Sequence, residues 1–118
     1  GGTQTLARAV GERRAKEMIM TARPFSPDEA YQWGMVNRVF DTPAEMLEAA
    51  VATAEEMAAN APLSVRQVKK SIHYGLQSDI LTGYRFELES YNRLVPTQDR
   101  LEGVQAFNEK RKPVFRAC

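Results

Sequence analysis

The chain has 118 residues, with 16 lysines and arginines against 15 aspartates and glutamates and a formal net charge of +1. One domain of this length, if compact, buries roughly two thirds of its unfolded surface and can fold alone. The near balance of charge excludes a global attraction to nucleic acid or an anionic membrane, the single Cys118 excludes an internal disulfide, and no apolar run approaches the roughly 20 residues that span a bilayer, so an intracellular protein is expected.

Gly1 and Gly2 run straight into a short helical stretch, Thr3 to Val10, which Gly11 stops. A second stretch, Glu12 to Thr21, places Ala15, Met18, Ile19 and Ala22 at helical spacing. Ser26-Pro27-Asp28-Glu29 has the pattern of a capping box with proline at the first helical position, opening a helix that Gly34 ends. Met35-Val36-Asn37-Arg38-Val39-Phe40 alternates and is rich in β-branched residues, which predicts one short strand over residues 36–40.

A second capping box, Thr42-Pro43-Ala44-Glu45, opens the longest predicted helix, whose Leu47, Ala50, Val51, Ala54, Met57 and Ala58 make one apolar stripe. Asn60-Ala61-Pro62 breaks it and begins another, with Val65, Val68 and Ile72 inward and Gly75 as the stop. From about Asp79, Ile80, Tyr84, Leu88, Tyr91 and Val95 follow one helical face as far as Pro96. A last helix through Leu101, Val104 and Phe107 leads to the basic tail Lys110-Arg111-Lys112-Pro113. The expected fold class is mainly α with that one short strand.

Self-contained chemistry is scarce. One histidine and one cysteine supply no metal cluster and no nucleophile pair of ordinary spacing. Glu55-Glu56, and Glu87 with Glu89, stand at adjacent and i+2 helical positions that point apart, so they fit solvated faces better than an acid/base couple. His73, beside Tyr74 near a helix C-terminus, fits capping better than catalysis. Two features keep a functional and a bland interpretation open. Gly1-Gly2-Thr3-Gln4 at a helix start could meet an anion or simply turn the chain. Lys110-Arg111-Lys112, following Phe107 and with Tyr91 on the preceding helix, could hold a phosphate and a stacked base or simply be solvated.

The order of short words adds more. GGTQ, Arg8-Ala9-Val10-Gly11, Ala15-Lys16-Glu17-Met18, Thr21-Ala22-Arg23-Pro24, Asp28-Glu29-Ala30, Gly34-Met35-Val36-Asn37-Arg38-Val39, Ala61-Pro62-Leu63-Ser64-Val65, Lys69-Lys70 and the run from Glu102 through Pro113 follow in sequence. Together they closely resemble the C-terminal part of the enoyl-CoA hydratase/isomerase (crotonase) family. The one local departure is Ala22, where the family often has glycine.

The resemblance implies a parent fold that is an α/β spiral of ββα units followed by C-terminal helices. Residues 1–40 would be the end of that core, and 41–118 a helical region for oligomerisation and contact with coenzyme A. It implies an enzyme acting on acyl-CoA thioesters, usually a homotrimer or a dimer of trimers, in the cytoplasm or, in a eukaryote, the mitochondrial matrix. Coenzyme A would be part of the substrate, with no prosthetic group and no metal. In the family the oxyanion-hole residues and catalytic glutamates precede the turn that contains GGTQ. No catalytic residue is therefore expected in this chain, which is expected to be inactive alone and to need a missing N-terminal part of the same fold. Gly1 and Gly2 match the active-site turn. Lys110 matches a position near the coenzyme A phosphates, and Tyr91 an aromatic position near the adenine. The alternative is a self-standing helical interaction module, or a weak RNA binder through Arg66, Lys69, Lys70 and the Lys110 cluster, against which the net charge and the acidic helix around Glu55 count.

Overall fold

The structure, a computed structural model, describes residues 1–118. It contains seven α-helices and separates into two compact units, Gly1–Ala49 and Ala50–Cys118.

In the first unit, α1 (Gly2–Val10) and α2 (Glu12–Thr21) pack on each other across a corner at Gly11, whose φ of 83° suits glycine. Ala15 of α2 is buried. The short α3 (Pro27–Gln32) begins in the expected capping box: the Ser26 side chain accepts from the Glu29 N–H at 3.1 Å, and the Glu29 carboxylate accepts from the Ser26 N–H at 2.8 Å. Arg14 of α2 lies 4.7 Å over the Trp33 ring, which also meets Phe25 at 5.5 Å. The second capping box is present too, with reciprocal Thr42–Glu45 bonds of 3.1 and 3.2 Å opening α4 (Pro43–Ala58).

The expected strand over 36–40 does not form. Alternation and β-branching make a segment able to join a sheet, but a strand exists only when its N–H and C=O groups meet a neighbour. Here the Met35 N–H instead bonds back to the Ala30 C=O at 2.8 Å, residues 36–40 make no backbone ladder, and Val36 and Val39 stay exposed.

The second unit holds the rest of α4, then α5 (Pro62–Gly75), α6 (Ile80–Leu94) and α7 (Gln98–Asn108). Helices α5 and α6 pack together as a hairpin, its turn set by Asp79, whose carboxylate accepts from the Leu81 and Thr82 N–H groups at 3.1 Å each. Gly75 and Gly83 meet at the crossing, where a Cβ on Gly83 would lie 3.6 Å from the Gly75 Cα. Tyr74 stacks on Phe86 at 5.6 Å beside them.

The apolar interior is thin. Among apolar side chains only Ala15, Ala30 and Ala106 are buried. Leu47 and Met57 of α4, and Val68, Ile72, Ile80 and Leu88 of the hairpin, are more than half exposed. The chain thus departs from the expected self-sufficient core. Its helices are amphipathic as read, but several apolar faces meet no partner within the chain.

Candidate functional site

The C-terminal end of α7 carries the most elaborate polar structure in the chain. Ala106 and Phe107 offer the last carbonyls of the helix, and the next residues close on them: the Lys110 N–H donates to the Phe107 C=O at 3.2 Å and the Arg111 N–H to the Ala106 C=O at 3.0 Å. These are the paired bonds of a Schellman motif. Its left-handed residue is Lys110, with φ 55°, at the position where glycine is ordinarily found.

Both neighbours of Lys110 have committed side chains. The Arg111 guanidinium donates two bonds to Glu102, Nη1 to Oε1 at 2.6 Å and Nη2 to Oε2 at 2.9 Å, and its Nε donates to Glu109 Oε2 at 2.6 Å. Gln105 donates to the other Glu109 oxygen at 2.9 Å. The Arg111 guanidinium, followed by the Val114 N–H, holds the Glu102 carboxyl down at about 2, and Glu109 is lowered by Gln105 and then Arg111. Charge-assisted, two-pronged contacts of this kind fix direction as well as energy. None of the chain's ion pairs involves Lys110. The three cations of the tail are therefore unequal: Arg111 is neutralised locally, whereas the Lys110 ammonium is exposed and unpaired.

Beyond Pro113 the chain folds back along α7. Glu102 accepts the Val114 N–H at 2.8 Å, and the buried Asp99 accepts from the Arg116 and Ala117 N–H groups at 2.7 and 2.9 Å. The Asp99 N–H in turn donates to the Cys118 C=O at 3.1 Å. Phe115 covers Gly103, where a Cβ would stand 3.7 Å from the ring.

Tyr91 is exposed on α6. It borders two open apolar grooves, one of about 550 Å³ between α5 and α6 with Val68, Ile72 and Tyr84, and one shared with Val95, Phe107 and Phe115. Phe107 links this second groove to the α7 end, but Lys110 does not line it. Gln67 borders the first groove, and its buried Oε1 has no hydrogen-bond partner within the chain.

Gly1 caps α1 with its C=O, which accepts from the Gln4 and Thr5 N–H groups at 3.0 and 2.9 Å, and Gly2 is the first helical residue. No atom lies within 4 Å of a Cβ built on either glycine. Nothing within the chain requires glycine at these two positions.

The remaining candidates are locally engaged or solvated. His73 meets Gln77 at 2.9 Å through Nε2 and Tyr74 edge-on at 5.2 Å. Glu89 pairs with Arg93 at 2.5 Å, and that guanidinium lowers its carboxyl, while Glu87 borders the α5–α6 groove. Glu55 and Glu56 are exposed, as are Arg66, Lys69 and Lys70 along α5. No cluster of three or more metal-ligating side chains forms, and no helix is long and apolar enough to cross a membrane. Sequence reading missed Glu102, Arg111 and Asp99 as partners, because the contacts join residues 9 to 18 positions apart across a reversal of the chain.

A family model described as enoyl-CoA hydratase/isomerase matches residues 1–117. The short-chain-enoyl-CoA hydratase of Clostridium acetobutylicum is 41% identical over 112 residues, which cover 95% of this chain and 42% of that protein. The human mitochondrial methylglutaconyl-CoA hydratase is 38% identical over 119 residues, covering 98% of this chain and 35% of that one. The crystal structure of an enoyl-CoA hydratase from Bacillus anthracis superposes with a TM-score of 0.93 at 44% identity, over 100% of this chain and 45% of its own. The chain spans less than half the length of each of these relatives.

Proposed function

The chain belongs to the enoyl-CoA hydratase/isomerase (crotonase) family, and on that footing we propose that it is the C-terminal part of an enzyme that hydrates or isomerises an acyl-CoA thioester. The observation that carries this proposal is the family match over residues 1–117, with superposition on an enoyl-CoA hydratase along the whole chain. The chemistry is enolate-like. Two backbone N–H groups stabilise the thioester oxygen as charge develops there, each worth about 2.7 to 4 kcal/mol in comparable acyl chemistry. Those donors and the catalytic glutamates lie outside the chain, before Gly1, so the chain alone is inactive. Gly1 and Gly2 close the turn beside the thioester, and Lys110 and Tyr91 serve the phosphate and adenine of coenzyme A.

Residues 1–40 end the catalytic core and 41–118 form the helical region for assembly and coenzyme A contact. The exposed apolar faces of α4, α5 and α6 support a requirement for further protein, both the N-terminal part of the same fold and neighbouring subunits in a trimer or a dimer of trimers. The test joins the chain to its N-terminal part, or mixes the two separately made, and follows loss of the enone absorbance of a 2-enoyl-CoA. Hydration on joining, with none from either part alone, is expected. No hydration in the joined protein overturns the hydratase reading and leaves the double-bond shift to be assayed in the same cuvette with a 3-enoyl-CoA.

A further inference from the structure

We propose that Glu102 and Arg111 are positioning residues, a clamp that sets the direction in which Lys110 presents its ammonium to a phosphate of coenzyme A; this rests on the acyl-CoA reading above. Two observations carry it. Lys110 occupies the left-handed residue of a Schellman motif, φ 55°, where glycine would fit without strain. A β-carbon is kept there at a conformational cost, so what it carries has a use beyond closing the helix. That use is not internal, because the Lys110 ammonium makes no ion pair in the chain.

The second observation is how firmly the backbone around that lysine is held. Arg111 is gripped through both Nη atoms by Glu102 at 2.6 and 2.9 Å and through Nε by Glu109 at 2.6 Å. Glu102 also takes the Val114 N–H at 2.8 Å, and the helix bonds from Lys110 and Arg111 close on Phe107 and Ala106. Lys110 is thus flanked by two fixed residues, and Arg111, the nearer of the two other cations of the tail, is neutralised. A phosphate approaching this corner meets two free ammoniums, Lys110 and Lys112, of which Lys110 is the one held between fixed neighbours, rather than a mobile cluster of three. A lysine supplies a point charge for such a group, and its stem orientation decides where that charge stands.

The test is a double-substitution cycle in the full-length protein, with Glu102→Gln, Lys110→Ala and the pair, read by calorimetric titration with coenzyme A and with 3′-dephospho-coenzyme A. Gln keeps an oxygen for the Val114 amide, so the fold-back survives while the two-pronged grip is lost. Lys110→Ala should weaken coenzyme A about tenfold. Glu102→Gln alone should weaken it about two- to fivefold, as befits an exposed pair. Both should leave the dephospho form unchanged, and the double variant should bind no worse than Lys110→Ala, since a clamp has nothing to position without its lysine. A third variant guards against misfolding: Lys110→Gly should raise the melting temperature by about 1 to 4 °C while lowering coenzyme A affinity.

Full additivity in the double variant, equal losses for the two ligands, or a fall in melting temperature for Lys110→Gly each overturns the clamp while leaving the acyl-CoA reading intact. Wild-type protein that binds neither ligand overturns both.

Discussion

The C-terminal ends of α2 and α7 share one unusual conformation, a residue other than glycine in the left-handed region, Ala22 at φ 51° and Lys110 at φ 55°. They differ in what surrounds it. At α2 no Schellman pair closes the turn; Thr21 substitutes, its hydroxyl donating to the Glu17 C=O at 2.7 Å and accepting a long 3.4 Å bond from the Arg23 N–H. At α7 both backbone bonds form and Glu102, Glu109 and Arg111 brace the corner. The same local cost is therefore incidental at one helix end and held in place at the other. Backbone strain points toward a role only where the surroundings over-determine it and the side chain it displays has no internal use. Ala22 displays a methyl; Lys110 displays a charge.

The comparison breaks most severely if the fold-back that supports the α7 corner is released. Asp99→Ala removes the buried acceptor of the Arg116 and Ala117 amides and should cost about 2 kcal/mol, seen as loss of hydrogen-exchange protection at those two amides first. Unchanged protection at both would mean that the tail is held by Phe115 and Glu102 instead.

Acid offers a second way. The carboxyl of Glu102 lies at about 2 in the folded chain against an ordinary 4.5, lowered by Arg111 and the Val114 N–H with Arg116 adding its charge, while partial desolvation opposes. A folded-state value below the unfolded one means that the stabilisation is complete above about pH 4.5 and disappears as pH falls toward 2. The protection factor of the Val114 amide, its exchange rate relative to the intrinsic rate at the same pH, should fall as pH drops across that window and stay unchanged between about pH 5 and pH 8. In Glu102→Gln the acid-dependent part should be absent.

Two glycine exchanges sharpen the comparison further. Ala22→Gly should stabilise the protein by about 1 kcal/mol, measured by urea unfolding, with no change in coenzyme A affinity, whereas Lys110→Gly gains stability and loses affinity. A loss of affinity in Ala22→Gly would erase the distinction between the two ends. The smallest effect is expected at α1: Gly2→Ala meets no atom within the chain and should change stability by only a few tenths of a kcal/mol. If it nevertheless abolishes turnover, the requirement for glycine lies in what approaches that turn from outside the chain.

Much of the helical framework was legible because its signals act over three or four residues. The Ser26–Glu29 and Thr42–Glu45 capping boxes and the Gly11 corner were readable as local signals between neighbours. The family resemblance, which rests on the order of short words, was readable for the same reason. The segment 36–40 was misread because alternation reports suitability for a sheet, and a strand is completed only by a second segment. At the candidate site, Lys110 and Tyr91 came from the resemblance, whereas their surroundings did not.

By itself the sequence determined where the helices start and stop, which faces are apolar and which family the words resemble, all matters settled by short-range sterics and hydrogen bonding. Only the tertiary structure decided that Arg111 is spent on Glu102 and Glu109 while Lys110 stays free, and that the tail folds back onto Asp99. Those pairings depend on a chain reversal that brings residues up to 18 positions apart within hydrogen-bond distance, and no period in the sequence encodes which donor meets which acceptor across it.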